Sequence, residues 1–466
     1  MLATGINWNF SPCLAVPQDI RWGRTYEGYA EDPELVARLG SSYLLGLQAG
    51  LQGFLGSKGS VLATVKHFVG DGATKFGTAV NGLLDQGDVH IPEEEIWRIH
   101  LVPYIHVLKQ GALAVMASYS SIHGQKMHDH HYFLTEVLKE KLGFKGFIVS
   151  DYDGINQLAG SYYDKVVKSL NAGVDMVMLS KDYHRFIATV KKAYLDGAIS
   201  QARLDDAVFR ILYVKFSLGL FDRKLTDEIN LFTLGSMEHR VLAREAVRKS
   251  LVLLKNKSTL PISKDAPLIL VAGPAADDVG RQCGGWTIEW QGKAGNTVPG
   301  TSILAGIRAQ VTNPLHILYE RNGLFPTSLW QDSDTAKVGI VVVGEEPYAE
   351  GAGDAIDLEL TKEDLELIKR MRSLCQKLIV ILISGRPMII SEVLPLADAF
   401  IAAWLPGSEG QGVAEVIFGD YPFTGKLPYS WPNSSKALKF AGSAFKQRRE
   451  LVLFPAGYGL TTKTKP

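Results

Sequence analysis

Cysteine, net charge and long apolar runs are scarce in this sequence, and each scarcity excludes a class of protein. The three cysteines, Cys13, Cys283 and Cys375, lie far apart, so they form neither a metal-binding pattern nor a disulfide framework. The 49 basic residues are balanced by 49 acidic ones, so the sequence lacks the excess of positive charge that is typical of proteins that bind nucleic acid or an anionic membrane. No apolar run reaches the roughly 18 residues that suggest a membrane span.

The length of the chain points to more than one hydrophobic core. A chain of 466 residues exceeds what a single core supports, so two or more domains are expected. The composition, 46% hydrophobic and 21% charged, is that of an ordinary globular protein and supplies apolar side chains for each domain.

Strand-like apolar runs alternate with amphipathic helical patterns along the first half of the chain. Such alternation predicts βαβ units and a parallel sheet. Five strands are predicted, whereas a closed β/α barrel needs eight. The predicted strands are 6–10, 61–68, 113–118, 147–150 and 176–179, and the helical patterns are 33–51, 92–109, 133–141 and 163–171, with further helices up to residue 220.

The alternation resumes in the second half, after a stretch without strands. Apolar runs at 268–272, 338–343, 378–384 and 399–403, with a helical pattern at 362–377, predict an open α/β sheet covered by helices. The predicted organisation is an incomplete β/α barrel over residues 1–222, a linker over 223–245 and an α/β sandwich domain over 246–466.

The segment 146–154, Gly-Phe-Ile-Val-Ser-Asp-Tyr-Asp-Gly, places a carboxylate at the end of a short apolar strand. Buried parallel strands are apolar on both faces and carry polar side chains at their carboxyl ends, where barrel active sites lie. Asp151 is therefore the first candidate for a catalytic residue. An Asp just past a strand also commonly caps the next helix, so on this segment alone both interpretations stand.

Other predicted strand ends carry polar side chains that suit a neutral polyhydroxyl ligand. Lys66 and His67 lie at the end of the second strand, Tyr119 ends the third, and Arg24 follows the first strand and its loop. Together with Asp151 these groups offer hydrogen-bond donors and acceptors at one rim. For any single residue an ion pair or a partly buried polar role is the better interpretation, but five such residues at the strand ends together favour a binding site.

Loops of the second half supply further candidates. Trp286 and Trp290 lie in a Gly-bounded loop, where an exposed indole can stack on a sugar ring, although one of the two is expected in the core. An acidic loop, Gly-Glu-Glu-Pro-Tyr-Ala-Glu-Gly-Ala-Gly-Asp, occupies 344–354. The Gly-rich run 407–412 lacks the Lys-Ser/Thr of a P-loop and the spacing of a dinucleotide fingerprint, so phosphate binding is a weak interpretation.

Four histidines, His123, His128, His130 and His131, cluster in one predicted loop. No Cys and only one Asp accompany them, so a solvated loop is favoured over a metal site. We therefore predict no bound metal.

Six runs of the sequence, taken together, resemble glycoside hydrolase family 3, and most of all its β-glucosidase and exo-β-glucanase branch. They occur in order along essentially the whole chain, and the Lys-His-Phe and Ser-Asp motifs are specific when they occur together. The resemblance implies a TIM-type β/α barrel followed by an α/β sandwich domain, and a retaining mechanism without metal or organic cofactor. The runs are Gly-Ile-Asn-Trp-Asn-Phe at 5–10, Arg-Trp-Gly-Arg at 21–24, Lys-His-Phe-Val-Gly-Asp-Gly at 66–72, Val-Ser-Asp at 149–151, Gly-Trp-Thr-Ile-Glu-Trp-Gln-Gly at 285–292 and Ile-Ser-Gly-Arg-Pro at 383–387.

The resemblance also implies roles for individual residues. Asp151 would be the nucleophile and Glu350, in the Gly-Glu-x-Pro-Tyr-x-Glu pattern, the acid/base, with Glu409 as the second choice. This division suits a retaining glycosidase, which needs an ionised carboxylate and a second, protonated carboxyl about 5 Å apart. The substrate-binding residues would be Arg24, Lys66, His67 and Tyr119 for the terminal sugar, and Tyr152 and Trp290 for the next one.

The implied activity is that of a retaining, exo-acting β-glucosidase or β-glucan glucohydrolase, which releases glucose from the non-reducing ends of small carbohydrate substrates. The alternatives are a β-xylosidase and a catalytically weak or silent sugar-binding fragment. A β-N-acetylglucosaminidase is disfavoured, because residues 75–88 lack the Asp-Ser/Thr-His signature of that branch.

The chain departs from the family pattern in three places. Tyr152 follows the nucleophile where the family has Trp, and Ile122 and His123 stand where its members carry Trp-Asn. The family pattern also begins well before Gly5, so we expect an incomplete barrel that lacks an Asp for the terminal sugar. Unpaired strand edges would then favour association into oligomers.

Overall fold

The computed structural model describes residues 1–49, 52–222, 228–326, 336–440 and 442–462. The chain forms two compact units. The first contains Met1–Gln18 and Glu27–Leu234, and the second contains Asp19–Tyr26 and Gly235–Pro466. A short early segment thus belongs to the second unit. Among the described helices, none combines the length and the apolar character needed to cross a bilayer.

The first unit is built on a four-stranded sheet in the order β1-β2-β4-β7, in which all neighbours are parallel. Its central strands are short apolar runs buried on both faces, as expected when helices cover a parallel sheet. The strands β3, β5 and β6 form a separate small sheet. The strands are β1 (Trp8–Asn9), β2 (Leu62–Phe68), β3 (Asp88–Val89), β4 (Ala114–Ala117), β5 (Ser121–Ile122), β6 (Gln125–Lys126) and β7 (Phe147–Val149).

The helices of the first unit begin at well-formed caps. The Asp32 carboxylate accepts a hydrogen bond from the Leu35 N–H at the start of α1, and Ser161 and Asp164 form a capping box on α4. The predicted helix at 92–109 is divided by a π-helical turn, Ile96–His100, and Tyr132–Lys141 is also π-helical. The α-helices are α1 (Pro33–Gln48), α2 (Glu93–Glu95), α3 (Val102–Lys109), α4 (Tyr162–Ala172), α5 (Tyr183–Leu195) and α6 (Gln201–Ser217).

The strand predicted at 176–179 is absent as an element, and that prediction was wrong. Met176 makes a single parallel bridge to Val149. The Met178 N–H instead donates to the Ser150 hydroxyl at 2.8 Å, and the Met178 carbonyl accepts from the Asp153 N–H at 3.1 Å. The backbone here therefore binds the turn beyond β7, and the sheet of the described residues stays open.

The second unit is an α/β sandwich, as predicted. Its six-stranded sheet has the order β10-β9-β11-β12-β13-β8, parallel except for β8. Alternate residues of β11 enter separate cores on the two faces, so both faces are covered. The strands of the six-stranded sheet are β8 (Val252–Asn256), β9 (Ile269–Ala272), β10 (Ile317–Tyr319), β11 (Ala336–Gly344), β12 (Cys375–Ile383) and β13 (Ala399–Trp404). The strands β14 (Trp431–Pro432) and β15 (Val452–Phe454) form a separate pair. Its helices are α7 (Met237–Ser250), α8 (Val279–Cys283), α9 (Ile303–Gln310), α10 (Lys362–Leu374), α11 (Gly410–Phe418) and α12 (Gly442–Lys446).

The predicted boundaries 1–222, 223–245 and 246–466 stay a prediction. Residues 223–227 of the predicted linker lie outside the described residues. Within the described ones, α7 begins at Met237 and groups with the second unit.

Candidate functional site

Asp151 lies at the carboxyl end of β7 and is 8% exposed. Its Oδ1 accepts a hydrogen bond from the Tyr152 N–H at 2.7 Å, and its Oδ2 lies 3.4 Å from His67 Nε2. The N-cap of the turn that follows is Asp153, so Asp151 is not the capping residue. Both oxygens of this buried carboxylate thus face nitrogen atoms.

His67 lies between two carboxylates in the first unit. Its Nδ1 is 2.6 Å from Asp71 Oδ2, and its Nε2 faces Asp151. The other oxygen of Asp71 accepts a hydrogen bond from the Ser118 hydroxyl and a longer one, 3.4 Å, from Ser120. A continuous chain of polar contacts therefore crosses the ends of β2, β4 and β7. The sequence analysis did not single out Asp71, although it stands in the Lys-His-Phe run four residues after His67.

His128 is a buried neutral ring directly behind the nucleophile candidate. Its Nε2 accepts the Asp151 backbone N–H at 3.0 Å, and a Cβ at Gly154 would lie 2.4 Å from that atom. Burial lowers the pKa of His128 to about 4, so the ring is uncharged near neutral pH. The prediction of a solvated loop was therefore wrong for His128. Within the described part of the chain, no group of three His, Cys, Asp or Glu side chains could hold a metal ion.

The remaining predicted residues of the first unit lie at the same end of the sheet. Lys66 is partly buried and precedes His67 on β2. The Tyr119 hydroxyl donates to the Tyr152 carbonyl, and Lys126 Nζ donates to the Tyr119 carbonyl at 2.7 Å. The Tyr152 ring is 58% exposed, which leaves an aromatic face open beside Asp151. The structure thus brings Lys66, His67, Tyr119, Tyr152 and Asp151 together.

Arg24 and Glu350 form an ion pair within the second unit. Arg24 Nη1 lies 3.2 Å from Glu350 Oε1, and their side chains are 4% and 17% exposed. The loop packs so closely on Gly23 that a Cβ there would lie 2.1 Å from the Glu350 carbonyl oxygen. The sequence analysis grouped Arg24 with the strand ends of the first half, whereas the structure assigns it to the second unit.

Arg386, from the Ile-Ser-Gly-Arg-Pro run, fixes the loop that carries Glu350. Its guanidinium is buried and donates to Glu345 Oε1 at 2.9 and 3.0 Å, to the Gly353 carbonyl at 2.6 Å and to the Arg21 carbonyl at 2.9 Å. The Tyr348 hydroxyl donates to the other oxygen of Glu345 at 2.9 Å. A buried, hydrogen-bonded ion pair therefore anchors both sides of Glu350.

Glu409, the alternative acid/base, has a different environment. It is 1% exposed, 2.9 Å from Arg240 Nη2 and 3.1 Å from Arg244 Nε. Two guanidinium groups compensate its buried charge, as a buried carboxylate requires. This contact set fixes the Glu409 side chain beside α7.

The two indoles of the Gly-bounded loop are both exposed. Trp286 is 50% exposed and Trp290 is 58% exposed. The backbone N–H of Trp286 donates to the backbone carbonyl of Trp290 at 2.9 Å. The expectation that one of them enters the core was wrong. Two aromatic faces are therefore available to a ligand.

Similar proteins are found among both curated sequences and solved structures. The chain is 32% identical to a lysosomal beta glucosidase of Dictyostelium discoideum, over 93% of this chain and 55% of the relative. It resembles the crystal structure of an exo-1,3/1,4-beta-glucanase from a Pseudoalteromonas species with 38% identity and a TM-score of 0.89, over 100% of this chain and 60% of that one. It also resembles a mutant beta-glucosidase from Listeria innocua in complex with laminaribiose, with 26% identity and a TM-score of 0.85, over 99% and 66% of the two chains.

The chain therefore spans between 55% and 66% of the length of these three proteins. Two family models account for most of its own length. The model described as Glycosyl hydrolase family 3 N terminal domain matches residues 1–214, and the Glycosyl hydrolase family 3 C-terminal domain matches residues 251–462. With matches that leave only short stretches uncovered, the chain belongs to glycosyl hydrolase family 3.

Proposed function

We propose that this chain is a retaining, exo-acting β-glucosidase or β-glucan glucohydrolase that releases glucose from the non-reducing ends of β-glucosides. The observation that carries the proposal is the buried Asp151, held by the Tyr152 N–H and facing His67. The names of the similar proteins, a beta glucosidase and an exo-beta-glucanase, support the substrate class.

Asp151 is proposed as the nucleophile. Its oxygen attacks the anomeric carbon, the bond to the leaving-group oxygen breaks, and an ester between enzyme and glucose forms. Water then attacks the anomeric carbon and Asp151 leaves as a carboxylate, so the product retains the β configuration. The Tyr152 N–H and the His67 imidazole beside its oxygens hold the carboxylate in place for both steps.

Glu350 is proposed as the acid/base. This residue must hold a proton near neutral pH and give it to the glycosidic oxygen. Glu409 suits this task poorly, because it is nearly inaccessible and is ion-paired with two arginines. Glu350 is more exposed, and its neighbour Arg24 is itself proposed to donate to sugar hydroxyls, which would free Glu350 to hold its proton.

The substrate is proposed to be a neutral carbohydrate bound by polar groups and aromatic faces. Lys66 and Tyr119, together with Arg24, would bind hydroxyls of the terminal glucose, while His67 would line the same subsite beside Asp151. The exposed rings of Tyr152 and Trp290 would stack on the next sugar, because the C–H face of a sugar is apolar.

Self-association is proposed for the first unit. Helix α6 spans 17 residues and buries only Ala207 and Val214, whereas Phe209 and Phe216 are more than half exposed. Exposed apolar patches of this kind commonly mark protein–protein contacts. Light scattering should detect an oligomer that Phe209→Asp dissociates, and a monomer at every concentration would contradict this proposal.

Removal of the Asp151 carboxylate tests the proposed function. On an activated aryl β-glucoside, Asp151→Gly should lower kcat by roughly 10⁴–10⁶-fold, the loss typical of removing a nucleophile. Azide should restore part of the turnover and give the inverted α-glucosyl azide. Asp153→Asn, two residues away, is the matched control and should keep its activity.

Two outcomes would count against the proposal. Full activity of Asp151→Asn, once deamidation is excluded, would remove Asp151 from the mechanism. A higher kcat/KM on the matched aryl β-xyloside would replace the glucosidase assignment with that of a β-xylosidase.

A further inference from the structure

Asp71 is a buried carboxylate to which the proposed reaction assigns no part. It lies in the 3-10 turn Asp71–Ala73, which follows β2, and it is 8% exposed. Its Oδ2 is 2.6 Å from His67 Nδ1, and its Oδ1 accepts hydrogen bonds from two serine hydroxyls. A buried carboxylate with this many partners is held in one orientation.

The protonation of His67 follows from the groups on either side of its ring. A carboxylate can only accept, so an Asp71 oxygen 2.6 Å from Nδ1 favours a proton on that nitrogen, although the two groups are not aligned as a regular hydrogen bond. On the other side, Nε2 lies 3.4 Å from Asp151 Oδ2. In a neutral ring with its proton on Nδ1, the lone pair of Nε2 would face a carboxylate oxygen. The imidazolium form instead donates from both nitrogens, so two flanking carboxylates favour it.

Three described titratable side chains that face this trio are uncharged near neutral pH, while Lys126 lies near His128. His128 faces His67 and Asp151, and His100 and Tyr104 face Asp71. Burial lowers the pKa of His100 and of His128 to about 4, so both rings are neutral near pH 7. Burial also raises the pKa of the Tyr104 hydroxyl, which therefore stays protonated.

We propose that Asp71 is a positioning residue: it holds a proton on His67 Nδ1 and keeps this ring an imidazolium, whose Nε2–H donates to Asp151 Oδ2. The inference rests on the function proposed above, since it gives Asp71 its effect through the nucleophile. The imidazolium keeps Asp151 ionised and holds its carboxylate in the orientation for attack on the anomeric carbon. It also stabilises the carboxylate that departs when water cleaves the glucosyl ester. The proton of that water goes to Glu350, so His67 keeps both of its protons through the cycle.

The protonation of His67 can be measured without substrate. In the full chain labelled with ¹⁵N-histidine, proton–nitrogen correlation spectra at pH 7 should show both ring nitrogens of His67 protonated, with a far-downfield Nδ1 proton. His67→Gln assigns the signals. In Asp71→Asn the downfield proton should disappear and Nδ1 should shift to the position of an unprotonated nitrogen, because the one remaining proton stays on Nε2, which faces Asp151.

A second His–Asp pair of the first unit provides the matched control. Asp88 Oδ2 lies 2.6 Å from His90 Nε2, the same separation as between Asp71 and His67, but His90 is half-exposed. Asp88→Asn should alter the His90 signals and leave those of His67 unchanged.

The pH profile separates positioning from general support of the fold. With the imidazolium lost, Asp151 becomes easier to protonate, so the acidic limb of the kcat/KM profile on an aryl β-glucoside should move up by about 1–3 pH units in Asp71→Asn. A purely structural defect lowers the rate at every pH without moving the limb. Asp88→Asn should keep the wild-type profile.

Each outcome decides one question. A neutral His67 in the wild-type spectrum would overturn the role of Asp71, and so would an unmoved acidic limb in a folded Asp71→Asn chain. If Asp71→Asn does not fold, the wild-type spectrum alone decides. Absence of glucosidase activity in the wild-type chain would overturn the proposed function instead, while the spectra would still report on Asp71 and His67.

Discussion

The carboxylates of the candidate site lie beside different groups in the two units. In the first unit, Asp71 and Asp151 flank the imidazole of His67. In the second, Glu350 and Glu409 lie beside arginines. A guanidinium keeps its charge over the whole range in which proteins fold, whereas an imidazole titrates near neutral pH. At the candidate site, pH therefore acts on the first unit through its histidines, whereas the carboxylates beside arginines respond to removal of a partner.

The largest expected effect is on the rate of hydrolysis, and it tests whether Glu350 or Glu409 of the second unit is the acid/base. Glu350→Ala should slow hydrolysis of a β-linked glucose disaccharide by about 10²–10⁴-fold, because a poor leaving group must be protonated. The first step on a dinitrophenyl β-glucoside should be spared, since this leaving group departs unaided. The glucosyl-enzyme on Asp151 should then accumulate and be visible by mass spectrometry.

Glu409→Ala is the comparison for that experiment. If it gave the pattern that depends on the leaving group, the acid would belong to the loop 407–412. Equal damage by Glu350→Ala on both substrates would indicate a structural role for Glu350.

The next effect concerns stability in the second unit. Glu409→Ala removes the carboxylate shared by Arg240 and Arg244, which are partly buried, so the free energy of unfolding should fall by about 1.5–3 kcal/mol. Urea unfolding at pH 7 measures the change. Glu392→Ala, which removes an exposed ion pair with Lys369, should cost under about 1 kcal/mol. Equal costs for both variants would show that burial does not distinguish the two pairs.

Acid should destabilise the first unit through its buried histidines. Burial lowers the pKa of His100 and His128 from 6.5 to about 4, so below about pH 6.5 the unfolded chain binds protons that the folded chain does not. Stability is therefore full above this pH and is lost as the pH falls towards 4, by about 2 kcal/mol for each ring at pH 5. Urea unfolding across this range should show a shallower loss in His128→Gln, and an identical loss would contradict the assignment.

The smallest effect involves no charge at all. Trp290→Ala should weaken binding of a disaccharide by about 0.5–1.5 kcal/mol, roughly a two- to tenfold rise in KM, because one stacking face is lost. An aryl glucoside that fills only the first subsite should be less affected. Trp286→Ala is the matched control, since its indole is exposed in the same loop. A larger effect of Trp286→Ala would transfer the stacking role to that residue.

The second sheet could be predicted where its strands are continuous apolar runs. The predicted strands 338–343 and 378–384 lie within or beside the observed Ala336–Gly344 and Cys375–Ile383, because both faces of these strands are buried and leave no polar interruption. The edge strand Ile317–Tyr319 has only three residues, too few for a periodic signal. In the first unit, the prediction of a strand at 176–179 was wrong, because the backbone of this segment forms its hydrogen bonds with a turn that cannot be recognised from the sequence.

The candidate site could be predicted in part. Its strand-end motifs identify Asp151 and His67 without knowledge of the fold. Asp71 and His128 could not be found in this way, because their roles depend on contacts made by packing: Ser118 lies 47 residues from Asp71, and the backbone N–H bound by His128 lies 23 residues away. His128 is surrounded in sequence by polar residues, which indicate solvent rather than burial.

The early segment Asp19–Tyr26 has a consequence for synthesis of the protein. Its partners are encoded far downstream: Arg24 pairs with Glu350 across 326 positions, and the Thr25 carbonyl accepts from the Tyr429 hydroxyl across 404. Contacts of such sequence separation form late in folding. As the chain leaves the ribosome, residues 19–26 therefore cannot complete these contacts until Tyr429 has been synthesised. Translation through Tyr429 is thus a precondition for the final packing of a segment that was made long before it.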